Sequence, residues 1–157
     1  MEFELFLFSN RDYCEMIDMV EQIFTNFYGG KVKIIKSEDE FYIGTKYFSF
    51  SIEQDDKSDI EFVKKNYDIK VNEYITIEVF NKTFDDGILE ALKVMKVLLD
   101  GSTNALFLEI GDRQLFRKED GQLWINTDLE DYQKEYLTPA TLESLSNNYK
   151  LKKMEMI

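Results

Sequence analysis

The stretch that decides the fold is residues 74–127, which read YITIEVFNKTFDDGILEALKVMKVLLDGSTNALFLEIGDRQLFRKEDGQLWINT. Alternating apolar and polar side chains over Tyr74–Asn81 predict a strand. A helix is predicted next, capped by Thr83 or Asp85 and continuing to about Leu99. Three further strands follow the helix: Ala105–Ile110, Gln114–Lys118 and Gln122–Thr127.

Short turns and one apolar stripe complete this unit. Asp100-Gly101 ends the helix, Gly111-Asp112 separates the first two strands after it, and Glu119-Asp120-Gly121 suits a tight hairpin between the last two. The helix is expected to bury the apolar residues along one side: Ile88, Leu89, Leu92, Met95, Val97 and Leu99. The unit is therefore a strand, a helix and an antiparallel meander.

The first half of the chain shows the same order of elements. Residues 2–9 form a predicted strand with aromatic side chains on both faces, and Ser9-Asn10 is predicted to cap a helix from Arg11 to Tyr28. The buried stripe of that helix is expected at six residues: Met16, Met19, Val20, Ile23, Phe24 and Phe27. Gly29-Gly30 ends the helix. Three short strands follow: Lys31–Lys36, Glu40–Thr45 and Tyr47–Glu53.

The two halves, residues 2–54 and 74–128, thus share the order β-α-β-β-β. Internal duplication is one explanation, and chance recurrence of a common arrangement is the other. A short helix at Asp59–Tyr67 is predicted between them, a C-terminal helix opens at Thr138-Pro139, and residues 150–157 are expected to fray. We predict a single α+β domain, residues 1–157, built on an antiparallel sheet of about eight strands with two main helices packed on it.

The composition indicates a folded, acidic protein. Of the 157 residues 44% are hydrophobic, including 13 Phe and 9 Tyr, which is enough for a core. The 31 acids outnumber the 19 bases and give a net charge of −12. Because Lys and Arg supply the affinity for phosphate groups, this charge argues against nucleic acid and anionic membranes as partners. A basic protein is attracted instead, with faster association at low salt.

Three features favour the cytoplasm. No apolar run approaches the roughly 18–20 residues that cross a bilayer. The segment Met1-Glu2-Phe3-Glu4 carries acids where a signal peptide has Lys or Arg. Cys14 is the only cysteine, so the chain has no internal disulfide.

The sequence contains few of the residues on which catalysis depends. It has no histidine, which removes the commonest general base and the commonest neutral metal ligand. Neither a Gly-x-x-x-x-Gly-Lys-Ser/Thr loop nor a Gly-x-Gly-x-x-Gly motif occurs. The carboxylates at 38–40 and 55–59 lack the spacing of a calcium loop. We predict a non-enzymatic binding protein without a cofactor or a metal ion; a hydrolase that uses carboxylates alone is an alternative.

Residues 37–61 stand out by charge. They contain eight acids against Lys46 and Lys57, which is half of the chain's excess negative charge, and tyrosines lie among the acids. Charge that attracts a partner and tyrosine that anchors it are typical of an interface. The candidate partner-binding residues are Glu38, Asp39, Glu40, Tyr42, Tyr47, Glu53, Asp55, Asp56 and Asp59. The alternative is a solvated loop beside a sheet edge.

About a third of the chain, within residues 74–126, resembles a known family. The segments that carry the resemblance are Val79-Phe80-Asn81-Lys82, the helix with Leu92, Val94, Leu98 and Leu99, Asn104–Leu108, Gly111-Asp112, Leu115–Lys118 and Gly121–Asn126. They resemble the immunity proteins of the Sit lipoprotein-toxin system, which protect bacteria from contact-delivered toxins of their own kin. This chain departs from the family at Thr103-Asn104, where Gly-Asp is usual, and at Asn81, where arginine is common.

The resemblance implies this fold and a protein toxin as the partner, but it supplies neither a catalytic residue nor a toxin contact. The leading hypothesis is therefore an immunity protein that binds and neutralises a cognate toxin, which the charge of the chain predicts to be basic. The first alternative is an acidic nucleic-acid mimic that inhibits a DNA- or RNA-binding protein.

Overall fold

The computed structural model describes residues 1–110 and 113–155 and confirms an α+β fold. The strands are β1 Glu2–Leu7, β2 Lys33–Lys36, β3 Glu40–Gly44, β4 Phe48–Glu53, β5 Glu73–Val79, β6 Ala105–Glu109, β7 Arg113–Glu119, β8 Gln122–Asn126 and β9 Lys150–Lys152. The helices are α1 Tyr13–Tyr28, α2 Lys57–Tyr67, α3 Phe84–Asp100, α4 Asp131–Tyr136 and α5 Pro139–Leu145. In these residues no helix is both long enough and apolar enough to cross a bilayer. The expected turn at Gly111-Asp112 lies outside them.

The strands form one sheet in the order β2-β3-β4-β5-β1-β6-β7-β8-β9. Neighbours are antiparallel except for β8 and β9, which are parallel. The first strands of the two halves, β1 and β5, lie side by side at the centre, with Leu5 opposite Ile75. The first meander reaches this pair through its last strand, β4, and the second through its first, β6. The halves therefore share an order of elements along the chain but not an arrangement in the sheet.

Helices α1 and α3 cover one face of the sheet. Helix α1 begins after Asp12 and not after Ser9-Asn10: Asp12 Oδ1 accepts from the Glu15 amide at 2.8 Å, and Glu15 Oε1 accepts from the Asp12 amide at 3.2 Å. This reciprocal pair satisfies two backbone donors that the start of a helix otherwise leaves free. The Ser9 hydroxyl accepts from the Arg11 amide within the preceding loop instead.

The buried stripes of these helices differ in part from those expected. Leu89 and Val97 in α3 are 46% and 37% exposed, and Phe27 in α1 is 45% exposed. The residues that are buried in addition to the expected ones are Ile17, Gly87, Ala91, Val94 and Leu98. Each residue turns the helix by about 100°, so a side chain one position away from the stripe already points past the sheet.

Helix α2 covers the middle of the opposite face. It buries Ile60, Val63 and Tyr67, as predicted for a helix at this place, although it begins two residues earlier. Beneath it, Phe6 of β1 stacks on Tyr74 of β5 with 4.5 Å between the ring centroids. Strand β1 is thus buried on both faces, which explains its aromatic residues on both sides.

The C-terminal region contains two elements that the sequence did not predict. Helix α4 is held by Glu109 of β6, whose Oε2 accepts from Tyr132 Oη at 2.5 Å and from Gln133 Nε2 at 2.6 Å. Residues 150–152, expected to fray, form β9 beside β8. A parallel strand reaches its neighbour only through a long connection, which here contains α4 and α5. The three residues of β9 therefore carry no local pattern that predicts the pairing.

Two predicted boundaries near the C-terminus are confirmed. Thr138 caps α5, and Pro139 occupies its first turn. The turn between β7 and β8 has Asp120 and Gly121 at φ +48° and +85°. Positive φ at both central residues is the geometry of a two-residue hairpin turn, which aspartate followed by glycine favours.

Leu92→Ala and Phe50→Ala should each lower the free energy of unfolding by about 2–5 kcal/mol, because both side chains are buried against α1, α3 and the sheet. Leu89→Ala is the matched control, since Leu89 lies on the same helix as Leu92 but is 46% exposed. Urea unfolding measures all three. A loss in Leu89→Ala equal to that in Leu92→Ala would contradict the packing of α3.

Candidate protein-binding surface

The backbone brings the first cluster of candidate acids next to the end of β4. Glu40 and Glu53 are opposite one another across β3 and β4, and the Gln54 amide donates to the Asp39 carbonyl oxygen at 2.8 Å. The Ser37 hydroxyl accepts from the Glu40 amide at 3.1 Å and so fixes the turn before β3. Residues 38–40 and 53 therefore lie at the same end of the sheet.

The second cluster continues this surface at the start of α2. Asp56 occupies the position before the helix and makes no capping hydrogen bond through its side chain. Partial burial, together with the negative charges of Asp59, Asp55 and Glu53, raises the pKa of Asp56 to about 6. The two clusters thus form one surface, here called the acidic end: Glu38, Asp39, Glu40, Glu53, Asp55, Asp56 and Asp59.

The carboxylates of the acidic end have no cationic partners. Among residues 1–110 and 113–155, none of the seven forms a salt bridge, although many other acids do. Lys36, close in sequence, contacts Asp18 and Glu21 of α1 instead. All seven except Asp56 are exposed. The acidic end is therefore a concentration of negative charge that the described chain itself does not neutralise.

The structure brings one candidate tyrosine, Tyr42, to the acidic end but not the other, Tyr47. Tyr47 lies just before β4, at the end opposite Glu53 and about 20 Å away along the strand. Its carbonyl oxygen packs against Gly87 of α3, so closely that a Cβ added to Gly87 would lie 2.9 Å from it. Tyr42 lies in β3, and its hydroxyl packs against Gly44 of the same strand. A Cβ added to Gly44 would lie 2.7 Å from that hydroxyl. Tyr42 nevertheless lines a surface recess together with Glu40 and Glu53 of the acidic end. Alternation assigns a residue to a face of a sheet but not to an end of it.

A cavity of about 120 Å³ adjoins the acidic end. It is lined by Glu53 and Asp56 of that surface, by Arg11 and Tyr13 at the start of α1, and by Glu73 at the start of β5. Burial, together with the negative charges of Asp39 and Glu40, raises the pKa of the Tyr13 hydroxyl. Three segments far apart in sequence therefore meet at this cavity.

Arg11 and Glu73 form the buried wall of the cavity. Arg11 Nη2 donates to Glu73 Oε2 at 3.4 Å, and the two side chains are 20% and 8% exposed. Burial raises the pKa of Glu73, and the adjacent guanidinium partly opposes that shift. Neither residue was predicted as part of a site. The available signal was a charged side chain, Glu73, directly before the strand predicted at Tyr74–Asn81.

The main chemical feature of this region is its negative charge. In residues 1–110 and 113–155, no three Cys, Asp or Glu side chains converge in a way that could hold a metal ion. The surface offers exposed carboxylates and one small recess with buried charge. Such an arrangement attracts a cationic group and gives it hydrogen-bond acceptors.

Asp56→Asn should stabilise the protein at neutral pH. Between its ordinary pKa of 3.8 and the folded value of about 6, the folded protein holds a proton that the unfolded chain has lost, so this group makes stability fall as the pH rises. Asparagine removes that cost and is an equally good residue before a helix. We expect a higher Tm than wild type at about pH 7.5, with a gain that shrinks as the pH falls from 6 towards 4.

The control is Glu143→Gln, which removes one negative charge from an exposed position on α5. It reports how much any charge removal stabilises a chain of net charge −12. If Asp56→Asn melts no higher than Glu143→Gln at about pH 7.5, the ionised Asp56 side chain does not destabilise the folded protein, and the prediction is wrong.

Comparisons of the chain with models of known protein families, with curated proteins and with solved structures found no match.

Proposed function

We propose that this chain is an immunity protein that binds a cognate, basic bacterial toxin and neutralises it by docking the acidic end against it. The observation that carries the proposal is the set of seven carboxylates at one end of the sheet without a salt-bridge partner in the described residues. The resemblance of residues 74–126 to immunity proteins of the Sit system supplies the class of partner.

Unpaired acids suit a surface whose purpose is attraction. Crowding like charges at one place lowers the stability of a protein that stands alone, so their arrangement is better explained by a partner that neutralises them. A cationic partner is steered towards such a surface from beyond the contact distance, and association rates rise by about 10 to 1,000 times. A nuclease or another toxin with a basic groove has the complementary charge.

The frame beneath the acidic end is rigid. Phe41 and Ile52 stand beside Glu40 and Glu53 in the same paired strands, and both are buried in the main core. Glu40 and Glu53 are anchored in these strands, and the other five carboxylates lie in the adjoining turn, loop and first turn of α2, so the backbone near the strands is already ordered before binding. The proposal also places the protein in the cytoplasm, where an exposed, unpaired thiol such as Cys14 remains reduced.

The test is charge reversal at three exposed acids of the surface, Glu38→Lys, Asp39→Lys and Asp55→Lys in one protein. Their side chains make no hydrogen bonds within the described chain, so folding should be retained. The partner is the toxin whose gene neighbours that of this protein. We expect association to slow by about tenfold or more at about 0.05 M salt, and the effect to fade at about 0.5 M.

The matched control reverses three exposed acids of α4 and α5, Asp131, Glu135 and Glu143, and changes the net charge by the same amount. Surface-plasmon kinetics measure both variants, and circular dichroism checks their folding. Equal slowing in both would mean that only net charge matters, and would contradict a defined docking surface. Displacement of DNA or RNA from a host protein, without toxin binding, would favour the nucleic-acid mimic.

A further inference from the structure

We infer that the cavity lined by Arg11, Tyr13, Glu53, Asp56 and Glu73 is a receptor for one basic side chain of the protein partner, a lysine or an arginine. The inference rests on the proposed function and adds to it the point at which the partner is anchored. The exposed carboxylates of the acidic end attract the partner, and this recess holds one of its cationic side chains.

The first reason is an unmet hydrogen-bond acceptor in the wall. Glu73 is 8% exposed, and its Oε2 accepts from Arg11 Nη2 at 3.4 Å. Within the described chain its other oxygen, Oε1, has no donor. A buried carboxylate oxygen without a partner is costly, and such atoms in folded proteins generally have one. Oε1 is itself enclosed, so Glu73 gives the wall of the recess acceptor capacity that the described chain does not use.

The second reason is charge. Among the described residues, Arg11 is the only cation in the wall, which also carries four carboxylates: Asp12, Glu53, Asp56 and Glu73. Burial raises the pKa of both Asp56 and Glu73, because it disfavours their charged forms. An anionic ligand would add to the repulsion, whereas a cation would relieve it. The recess thus selects an ammonium or a guanidinium group.

The third reason is size. About 120 Å³ is room for roughly four water molecules, which matches the end of a lysine or arginine side chain. Sites for drug-sized molecules are larger, about 300–1,000 Å³. Tyr13 and Arg11 also line the recess, and in the described chain Tyr13 Oη and Arg11 Nε have no hydrogen-bond partner.

The position suits an anchor. The recess lies between the starts of α1, α2 and β5, next to the exposed carboxylates. Binding energy in protein interfaces concentrates in a few residues, often arginines, that fill desolvated pockets surrounded by a polar rim. The acidic end supplies that rim, and Glu73 is a buried residue of the wall.

The experiment uses the free protein and side-chain analogues as probes. The ¹⁵N-labelled chain is titrated with methylguanidinium, with butylammonium, and with tetramethylammonium, a cation that cannot donate a hydrogen bond. We expect the first two to give saturable NMR shifts at the Glu73 and Tyr74 amides and at Arg11 Nε–H. Glu73→Gln should weaken their binding about tenfold, because it replaces a charge-assisted hydrogen bond. Glu53→Gln, an exposed wall position, should weaken it less.

Glu38→Gln is the control, since it removes a carboxylate of the acidic end that does not line the recess. Tetramethylammonium shifts as large as those of the other two cations would overturn the proposal, because they would show general attraction of cations and no hydrogen-bonded site. An unchanged affinity in Glu73→Gln would overturn it as well. In the toxin complex, Glu73→Gln should speed dissociation about tenfold with little change in association. An unchanged dissociation rate would overturn the inference that the recess binds a side chain of the partner. The proposed docking surface is tested separately, by reversing Glu38, Asp39 and Asp55.

Discussion

The pairing of β1 with β5 at the centre of the sheet is the constraint on which the rest of the structure depends. Each is the first strand of its half of the chain, yet each lies between elements of the other half. Phe3 and Leu5 face the core under α1 and α3, while Phe6 faces α2 on the other side and stacks on Tyr74. Removal of this pair would separate both meanders and both cores.

The same pairing creates the candidate site. Strand β1 leads into α1, β4 leads into α2, and β5 begins beside both, so three polar segments converge at one end of the sheet. Asn72 fixes this junction: its Oδ1 accepts from the Ser9 amide at 2.9 Å, and its Nδ2 donates to the Ser9 carbonyl at 2.6 Å. The acidic end and its recess are thus consequences of strand order at the centre of the fold.

Local patterns in the sequence predicted much of this fold, because most elements are defined by periodicity, caps and turns that neighbouring residues specify. The hairpin at Asp120-Gly121 and the start of α5 are of this kind. β9 could not be predicted, because its parallel pairing depends on the path of α4 and α5. Leu89 and Val97 were assigned to a buried face because an apolar side chain next to a stripe resembles a member of it.

The candidate site was predictable only in its charge. A run of acids is visible in sequence, and eight of the nine candidate residues, all except Tyr47, do lie together. Tyr47 was included because it is close in sequence to Glu53. The two residues stand at opposite ends of β4, however, and are therefore far apart in space. Arg11 and Glu73 meet the acids through pairings between distant segments, β1 with β5 and β4 with β5, which no local pattern encodes.

The central claim is that the partner binds at the acidic end, and hydrogen–deuterium exchange of the protein with and without its toxin tests it most directly. We expect slower exchange in the complex at residues 37–41, 53–60 and 72–74. We expect no change at β8 and β9, where Trp124 lies 5.6 Å from the Nζ atoms of both Lys150 and Lys152 and presents a surface of opposite charge. Protection confined to β8 and β9, with none at the acidic end, would contradict the claim.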